Sequence, residues 1–166
     1  MHTRRWIMVA VVVPACLVAL AIVPSSAQTS ITAVPLSGRS VFTDDVGLKV
    51  KVSHGGATQV VKTDDPSRTV VVQYTIAPGA VFPWHSHAGP VIVNVVQGSL
   101  VYVGADDCEE RTYPAGTAFA DLGHGDVHSA FNPGSTDTIL VATFFEAPPA
   151  PDPLLILADP ADCDLS

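Results

Sequence analysis

The stretch Pro78–Val103, PGAVFPWHSHAGPVIVNVVQGSLVYV, decides the fold. It opens on a Pro78-Gly79 bend and carries two histidines two positions apart, His85 and His87. The β-branched run Val91–Val96 follows, then Gln97-Gly98, then a second run, Leu100–Val103. Two such runs parted by a short glycine-containing break predict a hairpin turn at Gln97-Gly98. On a strand, residues i and i+2 point to one face. That parity places the His85 and His87 rings side by side and carries Val91, Val93 and Val95 onto the same inward face. Pro83 and Pro90 are the positions where the parity can break.

The same pattern continues outward in both directions. Short runs rich in Val, Ile and Thr occur at Leu48–Ser53, Gln59–Lys62, Thr69–Ile76, Thr117–Ala120, His128–Phe131 and Thr138–Phe145, each bounded by Gly, Pro, Asp or Asn. Leu48-Lys49-Val50-Lys51-Val52 alternates strictly in polarity, as a half-buried strand does. Asn132-Pro133-Gly134-Ser135 reads as a turn. No helical stripe of useful length and no internal repeat interrupts the series, so the expectation is an all-β sandwich or barrel. Residues 28–40 show little periodicity and read as a loose leader or an edge strand. Beyond Phe145 the prolines at 148, 149, 151 and 153 exclude a central strand and favour an extended tail over residues 147–166. Within that tail Leu154–Leu157 is apolar enough to require a partner, either the barrel wall or a second subunit.

The amino terminus has another purpose. Arg4 and Arg5 precede an apolar run from Ile7 to Val23, and Pro24-Ser25-Ser26-Ala27 supplies small residues for a signal peptidase. This is the pattern of a secretory signal peptide covering residues 1–27, with a cut after Ala27 and export as the outcome. The competing reading is an uncleaved membrane anchor. Cys16 lies inside the apolar run, not at its end, which argues against lipidation. The full chain has 8 basic and 16 acidic residues and a net charge of −8; loss of Arg4 and Arg5 takes it to −10. So acidic a domain repels phosphate backbones and anionic bilayers, so nucleic acid is excluded as a partner, as is a membrane after cleavage. Residues 28–146 are long enough for one barrel domain with one core. Of 3 cysteines, Cys108 and Cys163 remain after cleavage, and two cysteines in an exported chain pair as a disulfide. Cys108 sits in Asp-Asp-Cys-Glu-Glu, an acidic setting that raises a thiol pKa and speaks against a nucleophile.

The histidines carry the chemistry. Of the 6 in the chain, His2 leaves with the signal, His54 sits in a Ser-His-Gly-Gly turn, and His124 in Gly-His-Gly. His85 and His87 can share a metal ion, and His128 heads a strand run that ends at Asn132. The order Gly79, five residues, His85-Ser86-His87, then Gly98, resembles the first sequence motif of the cupin superfamily. Gly125, His128 and Asn132 match its second motif, with Gly123 where the family has proline and Gly116 one position out of place. The resemblance spans residues 70–145. It implies an antiparallel jelly-roll β-barrel with a metal inside, held by His85, His87 and His128, with Asn132 structural and with subunits that often pair as homodimers. The family's glutamate ligand falls at Val91, or at Ile92 with the longer spacing, and neither side chain binds metal. Three neutral imidazoles would leave a divalent ion (Zn, Fe, Cu, Ni or Mn) its full charge and open positions, which suits Lewis-acid or oxygen chemistry on a small organic molecule.

Tyr74, Trp84, Tyr102 and Phe119 are the candidate pocket lining, against the plainer reading of each as core packing. Two further readings compete with a metal-dependent enzyme. One is a non-catalytic extracytoplasmic module that binds a small ligand or only the metal. The other is a barrel that has lost its site, which three retained histidines disfavour.

Overall fold

The computed structural model describes residues 30–54, 56–163 and 165; the segment 1–27 expected to be a signal peptide, and the cut expected after Ala27, lie outside the described residues. The described chain is all β, and its strands pair antiparallel throughout. The strands are β1 (Ile31–Pro35), β2 (Ser40–Val41), β3 (Leu48–His54), β4 (Ala57–Thr63), β5 (Arg68–Ile76), β6 (His85–Ser86), β7 (Val91–Gln97), β8 (Ser99–Gly104), β9 (Glu110–Pro114), β10 (Ala118–Asp121), β11 (His128–Phe131), β12 (Thr138–Phe144) and β13 (Ile156–Leu157). One sheet runs β1-β5-β12-β7-β10 with β2 also on β5; the other runs β13-β6-β11-β8-β9; β3 and β4 form a separate hairpin. The segment 28–40 left open between leader and edge strand is an edge strand from Ile31, paired along β5.

The core lies between the two sheets and follows the period-2 pattern. Val70, Val72, Tyr74 and Ile76 of β5, Val91, Val93 and Val95 of β7, and Leu140, Ala142 and Phe144 of β12 meet Leu100 of β8 and Ala130 of β11. Val91, Val93 and Val95 do face inward, but not by parity carried from His85: the chain leaves β6 after Ser86, and Pro90 precedes β7, which belongs to the other sheet. A second cluster sits on the opposite face of the β8–β11 sheet, where Trp84, Val101, Val103 and Phe131 are covered by Ala161, Cys163 and Leu165 of the tail.

Two glycines show what the backbone demands. The hairpin expected at Gln97-Gly98 does not form: β7 pairs with β10 and β12, while β8 pairs with β9 and β11. Gly98, at φ +74°, instead turns the chain from one sheet into the other, and a Cβ there would come 2.6 Å from Thr138 Oγ1. A Gly between two β-branched runs gives the same local signal whether the runs pair or part, and only the facing sheets decide. Gly123 has φ +63°, and a Cβ on it would collide with the Gly89 carbonyl oxygen. Proline, fixed near −65°, cannot adopt that positive φ, which accounts for glycine where the second motif has proline.

The tail is tied down at several points. Cys108 and Cys163 form a disulfide with Cα atoms 5.4 Å apart. Arg39 donates from its guanidinium to the carbonyls of Pro148 and Asp152. Leu154 packs against the core, and β13 pairs with β6, with Leu157 opposite His85. The barrel wall is thus the partner of the Leu154–Leu157 segment. Leu157 itself remains 72% exposed.

Candidate metal centre

Backbone pairing brings the three histidines together before any side chain is considered. Residues 79–82 run along β11, with Gly79 N–H donating to the Asn132 carbonyl and Phe82 N–H to the Ala130 carbonyl. This leads into β6, where His85 stands directly opposite His128. His87 falls just past the end of β6. The His85 and His128 ring centroids are 4.3 Å apart, His85 and His87 4.8 Å, and His87 and His128 5.2 Å. All three are buried, and one ring nitrogen of each lies within 4.8 Å of the other two.

Which nitrogen faces inward is fixed by the partners of the other. His85 Nδ1 lies 2.7 Å from the Pro83 carbonyl, His87 Nδ1 2.9 Å from the Leu154 carbonyl, and His128 Nδ1 3.2 Å from the Asp126 carbonyl. A carbonyl only accepts, so each Nδ1 carries the proton and each Nε2 presents a lone pair. Tethering of the distal nitrogen to a carbonyl is how metal-binding imidazoles are commonly oriented. Burial pushes all three rings down to about 4; for His85 the neighbouring His128 adds to this, while for His87 the Asp121 carboxylate works against it. The neutral form a metal requires is therefore the form the fold imposes at neutral pH.

The site also contains a carboxylate that the motif reading missed. Asp121, 3% exposed, points its Oδ2 at His128 Nε2 (3.0 Å) and His87 Nε2 (3.4 Å). Its Oδ1 accepts the Gly123 N–H at 2.7 Å. In the β7–β10 register Asp121 is the direct partner of Val91, the position at which the motif's glutamate falls. The expectation that only neutral ligands surround the site is therefore corrected: an acid is present, one strand over. Burial raises the Asp121 carboxyl pKa, and His87 and the Gly123 N–H oppose that rise. The parity signal was in the sequence, since Phe119 and Asp121 are i and i+2 on one strand.

Of the four lining residues expected, Tyr74, Tyr102 and Phe119 border the site cavity and Trp84 does not. Trp84 is the immediate neighbour of His85, so strand alternation turns it to the other face, onto Val101, Val103 and Phe131. Tyr102 stacks on His128 with centroids 4.9 Å apart and planes 20° apart, and meets Phe119 edge-on at 5.4 Å. Burial raises the Tyr74 hydroxyl to about 12 and Tyr102 further, so both phenols are neutral. The cavity holds about 50 Å³ and is otherwise apolar, with Phe82, Val91, Val93, Leu140, Ala142 and Phe144 on its walls. His124 turns away from the cluster, with Nε2 2.6 Å from Glu146 Oε2. His54 ends β3 and reaches Glu109 at 3.3 Å. Asn132, buried, donates to the carbonyls of Ile76 and Thr136 and accepts the Gly134 N–H, the structural role its motif position implied.

No protein-family profile and no curated protein matches the chain. Solved structures similar to it include the polyketide cyclase RemF from Streptomyces resistomycificus, at 17% identity and a TM-score of 0.46 over 57% of this chain and 63% of the cyclase. The Cupin_2 domain of an XRE-family transcriptional regulator from Enterobacter cloacae aligns at 18% identity and a TM-score of 0.45, over 68% of this chain and 93% of that domain. A cupin superfamily protein from Desulfitobacterium hafniense gives 10% identity and a TM-score of 0.42, over 63% and 81% of the two chains.

Proposed function

We propose that this chain is an exported cupin-type barrel that holds one divalent transition-metal ion on His85, His87 and His128, with a small organic molecule or water completing the coordination. One observation carries the reading: three buried imidazoles, each held through Nδ1 by a backbone carbonyl, turn their Nε2 lone pairs toward one another. Three lone pairs converging in a mostly apolar cavity form a ready donor set for a cation. Imidazole donors suit Zn, Cu, Fe and Ni, and a neighbouring carboxylate keeps Mn within the set. Such an ion would act as a Lewis acid or support oxygen chemistry on a small substrate.

The apolar lining and the cavity volume of about 50 Å³ favour a second reading alongside the first, a non-catalytic binding module for the metal and a very small ligand. Export is proposed on the charged, apolar and small-residue pattern of residues 1–27 alone. Elemental analysis of protein purified from a native secreting host tests both halves, because intact mass reads the mature terminus while the metal is identified. One transition-metal ion per chain, with a spectrum that a candidate substrate changes, supports the enzyme; an ion indifferent to every small molecule tried supports the module. A chain that takes up no ion on anaerobic reconstitution contradicts both.

A further inference from the structure

We infer that Asp121 is a fourth donor to the ion, so that the site is three imidazoles and one carboxylate supplied across a strand pair. This rests on the metal reading above. The observations that carry it are geometric. Asp121 Oδ2 lies within 3.0 Å of His128 Nε2 and 3.4 Å of His87 Nε2. Both nitrogens are lone-pair atoms, because their Nδ1 partners are backbone carbonyls. A carboxylate oxygen has no hydrogen to offer them when ionised. With Asp121 ionised, acceptor faces acceptor at two contacts in a buried site, and a shared cation satisfies both.

The remaining carboxylate oxygen is already engaged. Oδ1 accepts the Gly123 N–H at 2.7 Å, which fixes the carboxylate plane and leaves Oδ2 for the ion. That N–H is aimed by the left-handed turn at Gly123, which only glycine tolerates against the Gly89 backbone. The 121–125 loop thus works as an orienting support for a ligand, in the way that hydrogen-bonded carboxylates are held at metal centres. One negative ligand lowers the charge of a divalent site from +2 to +1 and favours the harder ions of the set, Mn and Fe, more than imidazole alone would.

Cobalt(II) tests this in the full-length mature protein, since its visible absorption reports the donor set. The wild type is titrated with Co(II) beside Asp121→Asn, Asp121→Glu and the double variant Asp121→Asn/Val91→Glu, which returns a carboxylate to the opposite strand position. Asp121→Asn is expected to weaken Co(II) binding by about 100-fold or more and to shift the absorption, and Asp121→Glu or the double variant to recover part of both. Unchanged affinity and spectrum in a folded Asp121→Asn protein overturn the assignment. So does a weakened affinity with an unchanged spectrum, which puts the carboxylate beside the ion and not on it. A wild type that binds no Co(II) overturns the three-histidine reading itself. If Asp121→Asn does not fold, Asp121→Glu decides: a wild-type spectrum with an altered carboxylate reach contradicts direct ligation.

Discussion

His87 Nδ1 donates to the main-chain carbonyl of Leu154 across 2.9 Å, although the two residues are 67 positions apart in the chain. A proline-rich tail therefore supplies the atom that orients one of the three candidate ligands. Its carbonyl position is kept by the pairing of Ile156 with Ser86 and Leu157 with His85, and by the packing of Leu154 on the core.

Deleting residues 148–166 should accordingly do more than lower stability. The His87 ring loses its partner and the cavity loses Leu155 from its wall, so metal affinity is expected to fall by about 10–100-fold, the usual consequence of losing an orienting partner. Competition against a chromophoric chelator measures it. A truncated protein that folds and binds metal like the full chain contradicts this role of the tail.

The Cys108–Cys163 bridge closes a loop of 55 residues between the turn after β8 and the tail. Chain-entropy arguments give such a loop about 4 kcal/mol. Replacing both cysteines by serine should move the urea midpoint down and steepen the slope, since the unbridged denatured chain exposes more surface, and the denatured unreduced mature chain should show no titratable thiol. Two free thiols would remove the bridge from the account.

In the metal-free protein, stability should fall on acidification between about 6.5 and 4. Burial holds His85, His87 and His128 at about 4 in the fold, against an ordinary value of about 6.5 in the unfolded chain. Across that window the unfolded chain binds more protons, so stability is fully present above it and is lost as pH drops through it, with a slope of at most about 4 kcal/mol per pH unit if all three contribute. Asp121 acts in the opposite sense, since its raised carboxyl pKa lets the folded state take a proton first, and it offsets part of the loss. Denaturant midpoints at several pH values measure the net slope. A flat profile from pH 7 to 4.5 would contradict a buried neutral triad.

Gly98→Ala should destabilise the fold by about 2–4 kcal/mol, from the left-handed φ and from the approach to Thr138. Thr138 Oγ1 also donates to the Ser99 carbonyl and accepts the Ser99 N–H, so the displaced side chain takes a sheet-to-sheet link with it. A thermal melt unchanged within error would mean that the crossing between sheets does not depend on this residue.

How much of this was legible in the sequence differs from residue to residue. The strand runs from Leu48 to Phe144 could be read because alternation and β-branching are local properties. His85 and His87 were legible because i and i+2 share a face, and the same rule, applied one residue back, would have removed Trp84 from the pocket. Partner choice was not legible. Val91–Val96 and Leu100–Val103 look like two arms of a hairpin, yet they belong to different sheets, since pairing is settled by cores that are distant in sequence. Asp121 escaped for a related reason. A motif searches for a carboxylate at a fixed spacing, and here the acid stands 30 positions beyond Val91 but directly across from it. Ion-binding geometry selects a position in space, and a neighbouring strand can fill it.

The measurement that bears most directly on the metal centre is metal per chain in wild type and in His85→Ala, His87→Ala, His128→Ala and His124→Ala, each purified and reconstituted anaerobically under the same conditions. The account predicts one ion in the wild type, near-complete loss in the first three variants, and retention in His124→Ala, whose ring is engaged by Glu146 outside the cluster. Stoichiometric metal that survives removal of His85 or His128 would contradict it.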